Sequence, residues 1–561
     1  MRLLGAVAVA ALVLSGQTAV AAPAPIEPDP LLAFLQDPGK VDLAKAAKAR
    51  EARTRARVLG AQAPGHTYAE REPASARGHN DSPWRAESTG FKRSALFTGS
   101  LLADPTMPTA KEFAEPNDTQ ATASDTQVGT TFRAIRTTGR ISGGDQDFYR
   151  LRGTGLTSIA TRTDGSDLDT VLTVFDASGK EIASNDTVGV STDARLEIEL
   201  AAADYFVRVT GTQNTQGSYE LTLAAGEGKG DKDFFAIDLR AGDVVGASVT
   251  GAARKVVVHD DRGREAMGSQ QDFSGVYPKE SPLPGGGNAV ADYVAPRDGR
   301  YFVGVEDGAG RYELSVKAFR PGSERVPQTV FVDFDGALVD TGVWGAPGEK
   351  QLSPLSKFLK DWGLSEKDES AVVSAAVDTI RENLALHGRF GVKLLNSRDH
   401  RDPWGQKNVS RLVIGGTIAE SGVETVAIAQ SIDPGNFGHE ETAMVQLDLL
   451  SQPAGPPVSL NTYLRPGSDE VRFVGRALGN IAAHELGHLS GSWHQHQFNE
   501  HDTLMDQGGN PKAMFAVGAD GAGGTADDTD IDFGEDQFVP NEGFTGVEDA
   551  AARTRWGYSR G

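Results

Sequence analysis

The segment from His484 to His494 constrains the fold more than any other part of the chain, because it reads H-E-x-x-H-x-x-G-x-x-H. On a helix, His484 and His488 lie four residues apart, so both imidazoles project from one face and can hold one metal ion. Gly491 can adopt a backbone conformation that other residues resist, which brings His494 back as a third ligand. Three protein ligands leave a fourth position open, which is typical of a catalytic zinc site.

Glu485 lies beside the first histidine and is placed to accept a proton from water at such a metal. Apolar residues recur at spacings of three and four along this segment, which predicts a helix. Histidine is scarce, with 11 in 561 residues, yet five lie between His484 and His501. We therefore interpret the segment as a metal site and not as a solvated or core helix that carries histidines. His496 and His501 are close enough in sequence to serve the site in a catalytic or a structural role.

Met505 follows His494 by eleven residues and precedes a pair of glycines. Together with the histidine motif, this segment resembles the metzincin clan of zinc endopeptidases, with a spacing similar to that of matrixins. The resemblance implies that His484, His488 and His494 bind zinc and that Glu485 acts as general base and then as general acid. It also implies that Met505 forms the apolar floor under the metal.

The catalytic domain is placed at residues 326–561. The resemblance implies an α+β, metzincin-like fold, in which a twisted sheet packs against two helices. An edge strand of that sheet would align an extended peptide by strand addition, so protein or peptide substrates are expected. The pattern predicts a first strand over 329–334, a helix over 371–387, later strands over 392–395, 412–414, 425–431 and 444–449, and a closing helix over 547–556.

The middle of the chain contains an internal repeat with a period of about 85 residues. The pentapeptide Asp145–Tyr149 is echoed by Asp231–Phe235. Short alternating segments between Gly, Asp and Asn turns predict two tandem antiparallel, jelly-roll-like β-sandwiches, at 110–225 and 226–320. Both would precede the peptidase domain and would either be removed on maturation or be kept to bind an extracellular-matrix or cell-surface target.

The first repeat unit resembles the bacterial pre-peptidase C-terminal domain, through its Glu-Pro-Asn-Asp entry and its Asp-x-Asp-Phe-Tyr strand. The second unit lacks that entry. In relatives that bind calcium, the entry residues and the following aspartates are the ligands, and hard oxygen ligands suit Ca²⁺. The alternative is that these residues only make turns. In this chain they are Glu115, Asn117, Asp118, Asp145 and Asp147.

A second acidic segment, at residues 520–536, combines seven acidic residues with glycines close to Met505. It is interpreted as a calcium loop, with a solvated acidic loop as the alternative. Its spacing does not fit an EF-hand. The proposed ligands are Asp520, Asp527, Asp528, Asp530 and Asp532.

The N-terminal region is predicted to contain segments for export and processing. Residues 1–22 are predicted to be a signal peptide, which indicates a secreted or periplasmic protein. Residues 23–109 are interpreted as a propeptide that keeps a zymogen inactive, with a disordered linker as the alternative. The chain contains no cysteine, which excludes disulfides and latency through a cysteine at the zinc.

Charge and the intact motif restrict the function classes. The net charge of −22 argues against nucleic-acid binding, and no segment predicts membrane insertion. A secreted binding protein with an inactive peptidase domain is one alternative, which the presence of Glu485 disfavours. A zinc hydrolase of non-peptide bonds is another, and the third histidine and Met505 disfavour it.

Overall fold

The computed structural model describes residues 66–558 except for 103–107, 164–165, 186–193, 213–214, 226–229, 321–327, 347, 386–390, 498, 500, 509 and 540–541. The predicted signal peptide and the predicted propeptide as far as residue 65 lie outside the described residues. The described chain forms two β-sandwiches and a unit of mixed helices and strands. None of the helices found in these residues is long and apolar enough to cross a membrane.

Short strands build both sandwiches, as the repeat predicted. In chain order they are β1 (Thr67–Ala69), β2 (Glu87–Ser88), β3 (Ser94–Leu101), β4 (Ser124–Asp125), β5 (Ala134–Ile141), β6 (Asp147–Arg152), β7 (Gly155–Arg162), β8 (Thr170–Asp176), β9 (Glu181–Asn185), β10 (Arg195–Leu200), β11 (Asp204–Gly211), β12 (Gly217–Ala225), β13 (Asp233–Leu239), β14 (Val244–Gly251), β15 (Lys255–His259), β16 (Glu265–Ser269), β17 (Ala289–Val294), β18 (Gly299–Glu306) and β19 (Gly310–Phe319).

The first sandwich pairs a sheet of order β10-β7-β12-β5 with a sheet of order β4-β6-β11-β8-β9. Successive side chains of a strand point to opposite faces, so every second residue enters the core. Strand β12 illustrates this pattern, because Tyr219, Leu221 and Leu223 are buried while the residues between them are partly exposed. The sandwich lies within the predicted range of 110–225.

The second sandwich pairs a sheet of order β1-β3-β19-β14-β17 with a sheet in which β2-β13-β18-β15-β16 are neighbours. Strand β3 runs antiparallel to β19, and β2 runs parallel to β13. In the first sandwich, β5 and β12, and β4 and β6, have the same two relations. Strands β2 and β3 therefore complete the second sandwich as β4 and β5 complete the first.

This arrangement differs from the predicted tandem order and from the range of 226–320 that was predicted for the second sandwich. Three strands that precede the first sandwich in sequence belong to the second, so the first sandwich is inserted between β3 and β13. The ends of the insertion meet where the amide of Leu102 donates to Oδ2 of Asp231 at 2.8 Å. Residues 66–102 are therefore part of a folded domain and not of a disordered linker.

The remaining unit contains a five-stranded sheet and the helix that carries the histidine motif. In chain order, the strands from residue 328 onward are β20 (Thr329–Asp333), β21 (Leu338–Asp340), β22 (Glu349–Gln351), β23 (Lys393–Asn396), β24 (Val409–Ile414), β25 (Ala427–Ala429), β26 (Thr442–Val445), β27 (Glu535–Gln537), β28 (Phe544–Thr545) and β29 (Val547–Asp549). Its helices are α1 (Glu369–Ala385), α2 (Ile418–Ser421), α3 (Glu470–Leu489), α4 (Pro511–Met514) and α5 (Ala550–Tyr558). Short 3-10 turns across the described chain occur at Pro83–Arg85, Gln120–Thr122, Ser274–Val276, Thr341–Trp344, Leu355–Lys357, Leu359–Trp362 and Leu460–Thr462.

The five-stranded sheet has the order β23-β20-β24-β26-β25, and only β25 runs antiparallel to its neighbour. The predicted first strand, helix and later strands correspond to β20, α1 and β23 to β26. The edge strand β25 is buried, and the carbonyl of Ala429 accepts a 3.0 Å hydrogen bond from the Trp344 indole. The edge predicted to align a peptide is therefore covered at this carbonyl.

Helices α1 and α3 pack closely because small residues line their contact. A Cβ added to Gly479 would lie 2.6 Å from Cβ of Thr379, and one added to Gly475 would overlap Cβ of Ala375. Real Cβ atoms do not approach so closely, so glycine is required for this spacing. The packing fixes the buried C-terminal half of α3, where the histidine motif begins.

Candidate metal centre

Helix α3 carries the first two histidines and ends where the motif predicts. The Asp469 side chain caps its N-terminus by accepting a hydrogen bond from the amide of Arg472 at 3.1 Å. The helix ends at Leu489, and Gly491 then adopts φ 102°. A Cβ at Gly491 would overlap Cα of Pro434. Both the positive φ and the close approach require glycine at this turn.

The turn brings the third histidine back to the other two. One ring nitrogen from each of His484, His488 and His494 lies within 4.8 Å of the others. The ring centroids are 4.7 to 5.4 Å apart. All three side chains are buried, with 2% to 7% of their surface exposed. The predicted ligand set is therefore gathered in one place.

Hydrogen bonds at Nδ1 define the tautomer of each ring. Every partner is a carbonyl or carboxylate oxygen, which can only accept, so each Nδ1 carries a proton, and in the neutral ring this leaves the lone pair on Nε2. The three bonds run from His484 to the carbonyl of Leu504 at 2.5 Å, from His488 to the carbonyl of Ser492 at 2.8 Å, and from His494 to Oε1 of Glu542 at 2.5 Å.

This donor set fits a zinc ion. Tetrahedral zinc with Zn–N distances of about 2.0–2.1 Å takes nitrogens spaced by about 3.4 Å, which the observed cluster accommodates. Nδ1 bonds to carbonyl or carboxylate oxygens are the usual support of zinc-binding histidines. Glu485, which lies next to His484 on the same helix, has a fully buried side chain. The residues can thus hold a zinc ion with a carboxylate beside it.

Met505 lies against the motif helix, fully buried, in a turn that touches the site. Its carbonyl accepts a 2.6 Å hydrogen bond from the amide of Gln495, the residue after His494. The residue before it, Leu504, supplies the carbonyl that holds His484. A Cβ added to Gly487 would lie 2.6 Å from Sδ of Met505. The turn therefore contacts the first histidine, the residue after the third, and the helix between the first two.

Replacing Gly487 by alanine is expected to destabilise the protein by about 1–3 kcal/mol, as overpacking of a core does. The added methyl group would meet Met505 and would also lie 2.8 Å from Cε1 of Phe533. Chemical denaturation followed by tryptophan fluorescence measures the loss. Gly143→Ala is the matched control, because its nearest atom, Nε2 of Gln216, is 3.5 Å away. Equal costs for both variants would contradict a tight Met505 contact.

The structure gathers part of the predicted calcium set in the first sandwich. One oxygen from each of Glu115, Asp118 and Asp145 lies within 4.8 Å of the others. Asn117 is buried next to them, and its backbone N–H donates to Oε2 of Glu115 at 3.1 Å. Asp147 is buried and accepts a hydrogen bond from the Tyr219 hydroxyl, and burial raises the pKa of this carboxyl to about 7.

The acidic segment at 520–536 is arranged differently. Asp528 pairs with Arg472 at 3.0 Å, and Asp530 pairs with Arg476, both on the surface of α3. Oδ2 of Asp527 accepts from the amide of Asp520 at 3.0 Å. Asp532 belongs to the same segment. Within the described part of the chain, no three carboxylates of this segment converge on one point. A calcium ion here stays a prediction.

A second carboxylate cluster, which sequence reasoning missed, lies in the second sandwich. Oxygens of Glu72, Asp81 and Asp231 lie within 4.8 Å of one another, and so do oxygens of Glu70, Glu72 and Asp233. We call these five residues the β13 cluster, since Asp233 begins that strand. The sequence repeat relates Asp231 and Asp233 to Asp145 and Asp147 but does not indicate the three glutamate and aspartate partners upstream.

The two clusters occupy equivalent places. The amide of Phe148 donates to the carbonyl of Asn117 at 2.9 Å, and the amide of Phe234 donates to the carbonyl of Asn80 at 3.0 Å. The missing entry of the second unit is therefore Glu72-Pro73, which six intervening residues separate from Asn80-Asp81. A search for this split pattern upstream of the first sandwich could have found it.

The β13 cluster is more deeply buried than its counterpart. Glu72, Asp231 and Asp233 are 6%, 2% and 0% exposed. Each has a buried oxygen that accepts no hydrogen bond from the described residues. Burial raises the pKa of Asp231 to about 7 and that of Asp233 to about 9. Buried carboxylates of this kind are costly unless a cation or protons neutralise them.

Comparison with known proteins gives limited likenesses. No family model matches the sequence, and no curated protein matches it. Among solved structures, the pre-peptidase C-terminal domain of a Bacillus anthracis collagenase is 14% identical and aligns 21% of this chain with 93% of its own, at a TM-score of 0.14. Periplasmic inhibitors of g-type lysozyme from Aeromonas hydrophila and Salmonella Typhimurium are 18% and 15% identical, and align 21% of this chain with 96% of theirs, at TM-scores of 0.14 and 0.13.

Proposed function

We propose that the protein is a secreted, zinc-dependent endopeptidase of metzincin type. The observation that carries this proposal is the convergence of His484, His488 and His494, with each Nδ1 bound to an oxygen acceptor. A structural zinc site is normally closed by four protein ligands, whereas this cluster supplies three, as catalytic sites do. The predicted signal peptide supports export of the enzyme.

The catalytic carboxylate in this proposal is Glu485. When bound, zinc polarises the scissile carbonyl and lowers the pKa of water in its open position to about 7. Glu485 accepts the proton of the attacking water and returns it to the leaving amine. Its burial keeps the side chain out of bulk solvent, where its charge would act less strongly on the reacting atoms. His494 is held in orientation by Glu542.

Hydrolysis of casein by the purified protein tests this function. We expect cleavage that stops when a zinc chelator is added and returns when zinc is restored. Restoration separates a lost metal from an unfolded enzyme. Cleavage that persists after zinc has been removed would contradict the proposal, because the histidine cluster would then not be needed for turnover.

We also propose that the β13 cluster and the cluster of Glu115, Asp118 and Asp145 bind Ca²⁺. Calcium takes carboxylate and carbonyl oxygens in flexible geometry. What supports this proposal is the burial of several like charges in the second sandwich without enough partners, since Glu72, Asp231 and Asp233 each keep a buried oxygen that accepts no bond from the described residues. The cations would be structural, because both clusters lie on the sandwiches.

Calcium is expected to change how stability depends on pH. Without calcium, Asp231 and Asp233 keep protons in the folded state at pH values where the unfolded carboxyls ionise, since their pKa values are about 7 and about 9. Their contribution is full below about pH 4 and is lost as pH rises through those folded-state values. When a chelator has removed calcium, thermal unfolding should therefore occur at a lower temperature at about pH 8 than at about pH 5.

Millimolar calcium should offset this loss of stability at high pH, because the cation replaces the protons. The stabilisation by calcium should therefore grow with pH. Differential scanning fluorimetry at both pH values measures the effect. The double variant Asp231→Asn, Asp233→Asn is the control, since its amides do not titrate. A calcium shift that is the same at both pH values would contradict the assignment to these carboxyls.

A further inference from the structure

We propose that the second sandwich is a permanent part of the metal centre and that its Asp292 is a positioning residue for the third histidine. This inference rests on the proposed zinc site and assigns a role to a domain that the sequence left open as removable. Asp292 lies on β17, on a different domain from the three histidines, and its side chain is fully buried. Its contacts reach both sides of the turn that carries His494.

The residue before His494 belongs to the core of the sandwich. Trp493 is 4% exposed and packs against Phe273 of the sandwich, with ring centroids 4.5 Å apart. Its ring also lies 4.8 Å from that of Phe544, which packs on Phe273 in turn. The hydrophobic core of the second sandwich therefore continues into the last turn of the histidine motif.

Asp292 joins the two ends of this turn. Its Oδ2 accepts from the Trp493 indole at 3.2 Å, next to His494 in sequence. Its Oδ1 pairs with the Arg553 guanidinium. The same guanidinium donates to the carbonyl of Gly491 at 3.0 Å, at the residue where the chain reverses. One carboxylate of the sandwich thus contacts the turn directly at Trp493 and through Arg553 at Gly491.

The remaining partners of this network are also buried. Arg553 pairs with Glu548 at 3.0 Å, and Glu548 accepts from the amide of Trp493 at 2.8 Å. The hydroxyl of Tyr277, on the sandwich, donates to Oδ2 of Asp292 at 2.8 Å. Because buried charges are stable only when paired, removal of the Asp292 carboxylate leaves Arg553 without its charged partner on the sandwich and loosens the turn.

The sandwich also holds the group that orients His494. Strand β28 adds to the edge of the sandwich sheet, where Gly268 and Ser269 of β16 pair with Thr545 and Phe544. Glu542, whose carboxylate accepts from Nδ1 of His494, lies two residues before that strand. Its carbonyl accepts a hydrogen bond from the Gln271 side chain. Removal of the second sandwich would release both supports of the third ligand.

Zinc affinity of the full chain with Asp292→Ala tests this inference. Loss of a group that supports a metal ligand typically weakens metal binding about 10- to 100-fold. We expect a loss in that range, measured by competition with a chromogenic chelator, while far-UV circular dichroism stays unchanged. Asp292→Asn keeps the volume and most of the packing. If the alanine variant does not fold, a weaker zinc affinity of the folded asparagine variant is the expected result.

Asp243→Ala is the matched control. Asp243 is also a buried aspartate of the second sandwich, and it pairs with Arg93 and Arg320 of the same sandwich at 3.0 Å each. It should lower stability but leave zinc affinity unchanged. Equal zinc affinity of wild type, Asp292→Asn and Asp243→Ala would overturn the inference. A folded wild type that binds no zinc would instead overturn the proposed function itself.

Discussion

Replacing His488 by alanine is expected to remove zinc from the protein and to abolish proteolysis. The three imidazoles form one cluster, and His488 lies on the same helix face as His484. Without it, only two protein nitrogens remain, and three are the minimum that catalytic zinc sites use. The loss of affinity should exceed the roughly 100-fold upper range for supporting groups that do not touch the metal. Zinc content after dialysis measures it directly.

His501→Ala is the matched control for this substitution. His501 lies close in sequence but is exposed and stands outside the three-histidine cluster. This variant should keep zinc. Thermal unfolding gives a second measurement, because a ligand that binds only the folded state raises its stability. With calcium kept in excess, a zinc-selective chelator should lower the unfolding temperature of the wild type and of His501→Ala but not that of His488→Ala. Retention of zinc by His488→Ala would contradict the assigned ligand set.

Replacing Glu485 by alanine is expected to separate zinc binding from turnover. The three histidines and their Nδ1 partners are untouched, so zinc content should equal that of the wild type. Turnover should fall about 10²- to 10⁴-fold, the contribution usual for general acid–base catalysis. Because Glu485 acts on the reacting atoms, kcat should carry the loss and KM should change little. Peptide hydrolysis at several substrate concentrations measures both constants.

Glu470→Ala controls for the loss of a glutamate from the same helix. Glu470 is the first residue of α3, roughly 22 Å along the helix from Glu485. It should leave both zinc content and kcat unchanged. Residual activity of Glu485→Ala within about tenfold of the wild type would rule out its role as general base. A loss of zinc in that variant would show instead that Glu485 supports the metal.

The three-histidine cluster was the part of the molecule most open to prediction from sequence. Its ligands follow a local rule, because helical geometry places His484 beside His488 and only glycine tolerates the turn at Gly491. The Glu542 carboxylate that holds His494 could not be predicted in the same way. It lies 48 residues away in sequence, and its position depends on how β28 joins the sandwich. No local pattern distinguishes it from other acidic residues.

The architecture of the sandwiches was predictable only in part. Short alternating segments and turn residues in the sequence indicated both sandwiches, because these are local properties of strands. The sequence did not indicate that one sandwich is inserted into the other. The recognisable repeat begins at β6 and β13, and it does not include the strands that precede them. For the same reason, the β13 cluster was missed, because Glu72 and Asp81 are separated from Asp231 by the whole inserted domain.

The most direct test of the central claim is to count zinc and assay casein cleavage in one preparation of the purified wild-type protein. We expect about one zinc ion per chain, held by three histidines with one open position, and cleavage that scales with zinc content. A well-folded protein that contains no zinc, or a zinc-loaded protein that leaves casein intact after removal of the residues that precede the second sandwich, would contradict the proposal.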